Sequence, residues 1–305
     1  MTGEDITVTH PDRVVFPDVG ITKGEVVAYY AAVGETMLPY LEGRALTIER
    51  YPKGTAEEGF MQKNAPDHYP DYIERFEVPK EEGGVTLYPV IHDADAIVYL
   101  ANQGVITFHI PPTRVPDLDK PDWVIWDLDP SESGVEKVRK GAHALRKILD
   151  DIGVETSVMT SGSRGYHLRA MIEIGPSSDD VAGFARGVAV LAAEADPDLF
   201  TVEFMKKKRG ERVFIDWLRN APLATAVAPW SLRPRKNAPV ASPLTWDEVD
   251  QIAPDAIDLE GAVARLDENP WRGMKPVDVS DAIHAVEETL EKAGIELPPF
   301  DRFRS

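Results

Sequence analysis

Asp127 and Asp129 stand at i and i+2 where the apolar run of PDWVIWDLDPSE (121–132) ends. Successive strand side chains point to opposite faces, so both carboxylates share one face while Leu128 turns to the core. Carboxylates held that close repel unless a cation lies between them. Hard divalent ions such as Mg²⁺ or Mn²⁺ take oxygen ligands of this kind. An Asp-rich turn ahead of Pro130 is the plainer alternative. Asp216 interrupts the apolar run VFIDWL, where a lone carboxylate is costly to bury without a partner. A metal already carried by Asp127 and Asp129 would supply that partner, and so would an ion pair with Arg212 or Arg219.

The segment SGSRGYHL gathers Ser161, Gly162, Ser163, Arg164 and His167. Glycines let backbone N–H groups converge on an anion, serines add donors, and an arginine grips phosphate oxygens in a fork. An ordinary hairpin turn is the competing reading. The motif is not G-x-S-x-G, which argues against a hydrolase nucleophile elbow. The seven histidines include no H-E-x-x-H or closely spaced pair, which argues against a zinc hydrolase. Three acids beside a phosphate cradle suggest two-metal phosphoryl or nucleotidyl transfer. One ion would activate the attacking hydroxyl, and the other would neutralise charge on the leaving pyrophosphate.

The elements that must position these groups are legible in outline. KGEVVAYYAAVGETML (23–38) reads as a helix with Val26, Tyr29, Tyr30 and Val33 on one stripe. Residues 45–51 and 105–110 read as strands, and the polar stretch 52–71 between them reads as a functional loop or a meandering connection. Residues 121–132 form a buried strand running into a turn at Pro130. Ser133 is placed to cap a helix whose stripe is Val135, Val138, Ala142, Leu145 and Leu149. Strands follow at 154–160 and 166–172, then a helix over 180–195 and a strand over 212–218. Two strands joined by the loop 161–165 are most easily antiparallel, so the class is α+β: mixed, largely antiparallel sheets with flanking helices. A single domain over 1–305 is expected, with an N-terminal module (1–115), a catalytic core (116–240) and an acidic helical C-terminal segment (241–305).

The chain has 305 residues, 43% hydrophobic and 28% charged, a composition that belongs to ordinary globular proteins. No apolar run reaches the ~20 residues of a membrane span, and no signal-peptide core opens the chain. There are no cysteines, which excludes disulfide scaffolds, zinc–thiolate sites and thiol catalysis. A cytoplasmic enzyme with no membrane partner is the expectation. Net charge is -19, against nucleic acid on a global reading. Locally, residues 201–240 hold nine Lys or Arg against three acids, so that stretch is +6 and the remainder -25. It is either a solvated basic face or a phosphate-binding ribbon.

WDLDPSE, TSGSRGYHL and FIDW, in that order, resemble the three motifs of archaeo-eukaryotic primase-type polymerases. More closely, the chain resembles the polymerase domain of bacterial ligase D, the nucleotidyltransferase of non-homologous end joining. The likeness runs from VTHPDRVVFP through ERYPKG, FMQKN, VITFHIP and TAVAPWSLRPR to PLTWDEV, nearly the whole chain. The resemblance implies a primase-polymerase-like core that extends primer 3′ ends with NTPs or dNTPs in short gaps or at breaks. It implies two Mn²⁺ (or Mg²⁺) ions on Asp127, Asp129 and Asp216, bound with the incoming triphosphate. Ser161, Gly162, Ser163, Arg164, His167 and Arg233 would hold the nucleotide's phosphates; the family commonly has lysine at the place of Arg164. His109 would touch the sugar, in keeping with a preference for ribonucleotides. Phe60 would stack on the template, where relatives often have two adjacent aromatics and Met61 follows here. Lys63, Lys23, Arg13, Arg50, Lys206 and Lys207 would contact DNA. His10 and Arg13 replace the Asn and Lys that bind a 5′-phosphate in relatives. Glu49, beside Arg50, would repel that phosphate, and Lys63 would compensate. No ligase or phosphoesterase motif is present, which implies a separate DNA ligase, with a Ku-type end-binding protein as a further partner. On DNA the enzyme would be nucleoid-associated.

Two other functions fit parts of the pattern. DLDPS satisfies a loose D-x-D-x-[ST], the mark of a haloacid dehalogenase-type phosphatase. That chemistry needs a doubly wound sheet and a second acidic pair, for which only Asp179 and Asp180 offer themselves. The other is an inactive DNA end-binding module.

Overall fold

The computed structural model describes residues 6–80, 83–131 and 134–297, and the chain divides into two compact units. The first comprises residues 1–110, 226–242 and 255–269; the second comprises 111–225, 243–254 and 270–305. In the first unit the chain runs β1 (Val14–Phe16), β2 (Ile21–Thr22), α1 (Lys23–Leu41), β3 (Thr47–Arg50) and β4 (Phe60–Gln62). It continues through β5 (Glu74–Pro79), β6 (Val85–Val90), α2 (Ala94–Asn102) and β7 (Val105–Ile110). The second unit holds β8 (Trp123–Pro130), α3 (Val135–Asp151), β9 (Ser157–Thr160), β10 (Tyr166–Met171) and α4 (Ser178–Ala195). It then adds β11 (Phe200–Thr201), α5 (Lys206–Arg209) and β12 (Val213–Asp216). Beyond these lie β13 (Ala226–Val227), β14 (Ser231–Leu232), β15 (Val240–Ala241), β16 (Pro243–Leu244), α6 (Leu259–Ala264) and α7 (Ser280–Ala293). The stretch from 241, expected as one acidic helical segment, is thus shared out: β16 and α7 in the second unit, α6 in the first.

The first unit is organised by a four-stranded sheet in the order β13-β7-β3-β4, antiparallel throughout. α1 starts at a capping box in which Thr22 and Glu25 satisfy each other's backbone N–H. The predicted stripe Val26, Tyr29, Tyr30 and Val33 is buried, and the helix continues through Pro39 to Leu41. Tyr30 donates its hydroxyl to the Ile106 carbonyl, and Tyr29 donates to the Trp230 carbonyl at 2.7 Å. The polar stretch 52–71 is not a loop throughout. Phe60–Gln62 pairs with β3, its three residues too few to signal a strand.

The second unit is built on a six-stranded sheet, β11-β12-β8-β10-β9-β16, in which only the β11–β12 pair is parallel. The α+β, largely antiparallel expectation therefore holds. Trp126 and Leu128 are wholly buried on one face of β8; Trp126 donates its indole N–H to the Ala185 carbonyl of α4 and packs edge-on against Phe184. Both α3 and α4 pack against β8. The other face carries Asp127 and Asp129, both half-buried. α3 begins at Val135 with Gly134 at its capping position; the expected cap, Ser133, lies outside the described residues.

The loop between β9 and β10 is fixed by its glycines. Gly162 takes φ +61°, a left-handed conformation that suits glycine. Gly165 presses against β8 so closely that a Cβ there would sit 1.8 Å from the Leu128 carbonyl oxygen. We predict that Gly165→Ala costs about 3 kcal/mol or more, since backbone rather than a side chain must yield. Gly162→Ala, which strains φ, costs about 1–2 kcal/mol. Urea unfolding monitored by tryptophan fluorescence checks the order; equal losses would contradict it.

Candidate active site

Cross-strand register assembles the site. β8 lies between β10 and β12, and Asp127 is directly opposite His167 on one side and Asp216 on the other. Residues directly opposite one another share a face, so one carboxylate is flanked by a second carboxylate and an imidazole. Asp129, two residues on, emerges on the same face opposite Phe214. The three acids named from sequence are therefore gathered on adjacent strands, as is His167.

Each carboxylate is met by a cation. Arg219, on the turn just after β12, bridges two of them: its Nε lies 3.3 Å from Asp127 Oδ2 and its Nη2 3.0 Å from Asp216 Oδ2. Arg164 Nη2 stands 3.5 Å and Arg209 Nη1 3.7 Å from Asp129. Asp216 Oδ1 also accepts the Leu218 N–H at 3.0 Å. Of the two ion-pair partners considered for Asp216, the structure selects Arg219; the Arg212 guanidinium instead donates to the carbonyls of Arg209 and Lys208. Among the described residues, no group of three His, Asp or Glu side chains is gathered closely enough to cage a metal, arginines being interleaved between the acids.

Compensation is incomplete. Burial, reinforced by Asp127, pushes the Asp216 carboxyl up to about 6 against the pull of Arg219. Burial and Asp127 raise Asp129 as well, against Arg164 and Arg209. His167, with only 4% of its side chain exposed, is pushed below the usual histidine value by burial, although Asp127 favours its charged form. Its Nδ1 faces Arg169 Nη2 at 3.4 Å, so Nδ1 accepts and Nε2 is left to donate towards Asp127 Oδ1, 3.3 Å away.

The Ser-Gly loop differs from the expected cradle in one respect. The N–H groups of Ser163 and Gly165 turn inward and donate to Ser161 Oγ at 3.2 and 3.1 Å, because the tight turn leaves the buried hydroxyl as their nearest acceptor. Arg164 is the exposed member of the motif. Arg209 is a site residue that composition alone did not single out from its basic neighbours. Its guanidinium lies 3.7 Å over the Phe214 ring and donates to the carbonyls of Glu203 (2.8 Å) and Phe204 (3.0 Å), so it is fixed towards Asp129. Lys206 and Lys207, on the same short helix, are exposed.

The first unit makes a second cluster. Glu49 and Arg50 alternate across β3, so the acid does not stand with Arg50 as a repeller of phosphate. It accepts from the Tyr51 hydroxyl at 2.8 Å and approaches His109 Nε2 at 4.0 Å, near enough to Arg233 to feel its charge. Arg50 is spent elsewhere, donating to the Gln103 carbonyl and Gln62 Oε1 (2.8 Å), with its guanidinium 5.6 Å from the centre of the Phe60 ring. Phe60 and Met61 are exposed by 47% and 51%, and Lys63 is exposed. Nearby, a cavity of about 210 Å³ is lined by His10, Arg13, Lys23, Tyr51 and Asn102. Lys23 is buried there and donates to the Thr9 carbonyl and hydroxyl (2.7 and 2.6 Å), while Arg13 donates to the Pro52 carbonyl (2.6 Å).

A sheet with antiparallel β8, β10 and β12, carrying three carboxylates on one face, is not the doubly wound sheet that a haloacid dehalogenase-type phosphatase requires. Asp180 belongs to the capping box of α4 and Asp179 to its first turn, which removes the second acidic pair. The family model for the LigD primase-polymerase domain matches residues 22–271. The chain belongs to that family. It is 35% identical over 268 residues to the multifunctional non-homologous end joining protein LigD of Mycolicibacterium smegmatis, covering 87% of this chain and 35% of that protein. The bifunctional LigD of Bacillus subtilis is 30% identical, over 85% of this chain and 42% of its own length. The chain thus spans less than half of these curated relatives. The polymerase domain of Mycobacterium tuberculosis ligase D, solved in complex with DNA, superposes with a TM-score of 0.81 at 32% identity, covering 92% of this chain and 98% of that one. No helix among the described residues is long and apolar enough to cross a membrane.

The Glu49 cluster yields a pH prediction. Burial opposes ionisation of Glu49, yet hydrogen bonds from His109 and Tyr51 and the nearby positive charges win, holding its carboxyl at about 2 against an ordinary 4.5. A folded value below the unfolded one stabilises the fold fully above pH 4.5, and the gain is lost as pH falls towards 2. The melting-point advantage of wild type over Glu49→Gln should therefore shrink steadily across that window; a constant difference would contradict the assignment.

Proposed function

We propose that the chain is a template-dependent nucleotidyltransferase that adds NTPs or dNTPs to primer 3′ ends in short gaps or at double-strand breaks. The observation that carries this reading is the convergence of Asp127, Asp129 and Asp216 on one sheet face beside Arg164, in a chain of the LigD primase-polymerase family. The donor set suits Mn²⁺ or Mg²⁺: hard carboxylate oxygens, two of them carrying more negative charge than their burial tolerates. Asp127, Asp129 and Asp216 would hold two ions with the incoming triphosphate. When bound, such ions lower the pKa of an attacking hydroxyl and neutralise charge on the leaving pyrophosphate.

The chain's own residues have the remaining tasks. His167, neutral and with its tautomer set by Arg169, orients Asp127. Arg164 and Arg209 supply positive charge to the phosphates, Arg164 from the loop that Ser161, Gly162 and Ser163 shape. Arg233 adds to that charge, and His109, steadied by Glu49, contacts the nucleotide sugar. Phe60 offers an exposed face for a template base, worth about 1–3 kcal/mol per base stacked. Lys63, Lys206 and Lys207 contribute salt-sensitive contacts to the DNA backbone, and Arg13, Arg50 and Lys23 contribute less because their donors are already engaged. Gapped or broken DNA, a DNA ligase and a Ku-type end-binding protein are the partners in this reading, and the cytoplasm, at the nucleoid, is the place.

The test is primer extension on a gapped duplex with Mn²⁺ and NTPs. Asp127→Ala and Asp216→Ala should each reduce incorporation at least about a hundredfold. Arg164→Ala should raise the KM for nucleotide more than it lowers kcat. If wild type adds no nucleotide, or if Asp127→Ala matches it, the proposal is wrong.

A further inference from the structure

A groove of about 1050 Å³, lined wholly by residues of the first unit, has no part in the proposed chemistry. One wall is α1, where Glu25, Ala28 and Ala32 follow at steps of three and four and so share a face. The other is α6, which contributes Leu259 and Val263, four residues apart. Val19, between β1 and β2, lines the groove as well. Val19 and Val263 are 44% and 39% exposed, and Ala28 and Ala32 are exposed beside them. Tyr29, also in the lining, is buried and has already given its hydroxyl to the Trp230 carbonyl. Four acids stand around this apolar strip: Glu25, Asp255, Asp258 and Glu260, all exposed. Glu25 and Asp258 also cap α1 and α6, a duty that leaves their charge in place. Among the described residues, no Lys, Arg or His lines the groove.

We propose that this groove docks a protein partner through an amphipathic helix whose apolar stripe lies between α1 and α6 and whose flanks carry Lys or Arg. An exposed apolar strip between two helices is the setting in which a third helix buries one face. The alanines on α1 let its backbone approach, and the single sign of charge around the strip selects basic flanks. Phosphates would meet those same acids, so nucleic acid does not fit. A second copy of this chain, at a net charge of -19, brings the wrong sign. A small-molecule pocket would present a few placed donors and acceptors, whereas here the polar groups are mainly exposed carboxylates. The proposal is independent of the catalytic reading, since none of these residues belongs to the active site.

The probe is a fluorescein-labelled synthetic peptide of about 18 residues, with leucines at helical spacing on one face and lysines on both flanks. Titrated with the full chain, it should show saturable one-to-one binding by fluorescence anisotropy. The double variant Asp255→Lys, Glu260→Lys should weaken binding about tenfold or more, because two attractions become repulsions. Val263→Asp should weaken it about tenfold by setting a charge where the apolar stripe docks. The lysine variants, at exposed positions, decide the question should Val263→Asp melt early. A chain this acidic attracts any basic peptide, so two controls isolate the specific contact. Glu287→Lys, on α7 of the second unit, should change affinity by no more than about twofold. A peptide of the same composition in scrambled order should bind about tenfold more weakly, having no apolar stripe. Hydrogen exchange should slow over residues 25–32 and 256–264 with the peptide and not with gapped DNA. Asp127→Ala should bind the peptide as wild type does, and the double variant should extend primers as wild type does. Absence of saturable binding, equal weakening by Glu287→Lys, or equal binding of the scrambled peptide overturns the proposal. Protection of the groove by DNA overturns it too, as does a dimer in sedimentation velocity that Val263→Asp dissolves, because each names a different occupant.

Discussion

The crowding of negative charge onto one face of the six-stranded sheet is the constraint that organises the second unit. Unit charges roughly 4 Å apart interact by about 4 kcal/mol at an effective dielectric constant near ~20. A strand pairing that sets Asp127 opposite Asp216 therefore needs compensation built around it. That compensation is specific: one arginine across Asp127 and Asp216, two others on Asp129, and a neutral histidine on the far side of Asp127. The arginines moderate the repulsion without cancelling it, which leaves Asp216 with an elevated pKa.

The rest of the unit keeps this face in place. Trp126 and Leu128 anchor β8 from the opposite side against α3 and α4, so the strand cannot roll and carry its acids away. Gly165 lets the loop after β9 lie directly on the Leu128 carbonyl, and that contact carries Arg164 to Asp129. The inward-facing Ser161 hydroxyl stiffens the same loop by taking two of its amides. Local turn chemistry and sheet register thus act on the same few side chains.

The first unit uses strand alternation for a different end. Because Glu49 and Arg50 point to opposite faces of β3, adjacent residues of opposite charge serve separate clusters. Arg50 ties the sheet to the end of α2 through Gln103, while Glu49 joins Tyr51, His109 and Arg233. An acid that looks misplaced in a basic segment becomes the negative partner that a histidine and an arginine need.

Several features of this protein were determined by its sequence alone: the α+β class, the strand holding both Asp127 and Asp129, the third acid in VFIDWL, and the Ser-Gly-Arg loop. These are properties of period-two alternation, of charge set in apolar runs and of glycine spacing, all local along the chain. The family resemblance rested on the same motifs and their order. Register and partnership were decided only by the tertiary structure. Nothing in a linear reading says that β8 lies between β10 and β12, which is what sets His167 and Asp216 on either side of Asp127. Nor does it say that Arg219 rather than Arg212 bridges the acids, or that Arg209 rather than its lysine neighbours is fixed towards Asp129. The short strand at Phe60 was hidden for a related reason, since three residues carry no periodicity until a partner strand pairs with them. Charge pairing between residues some 90 positions apart depends on distances in space, and sequence specifies those only through the folded sheet.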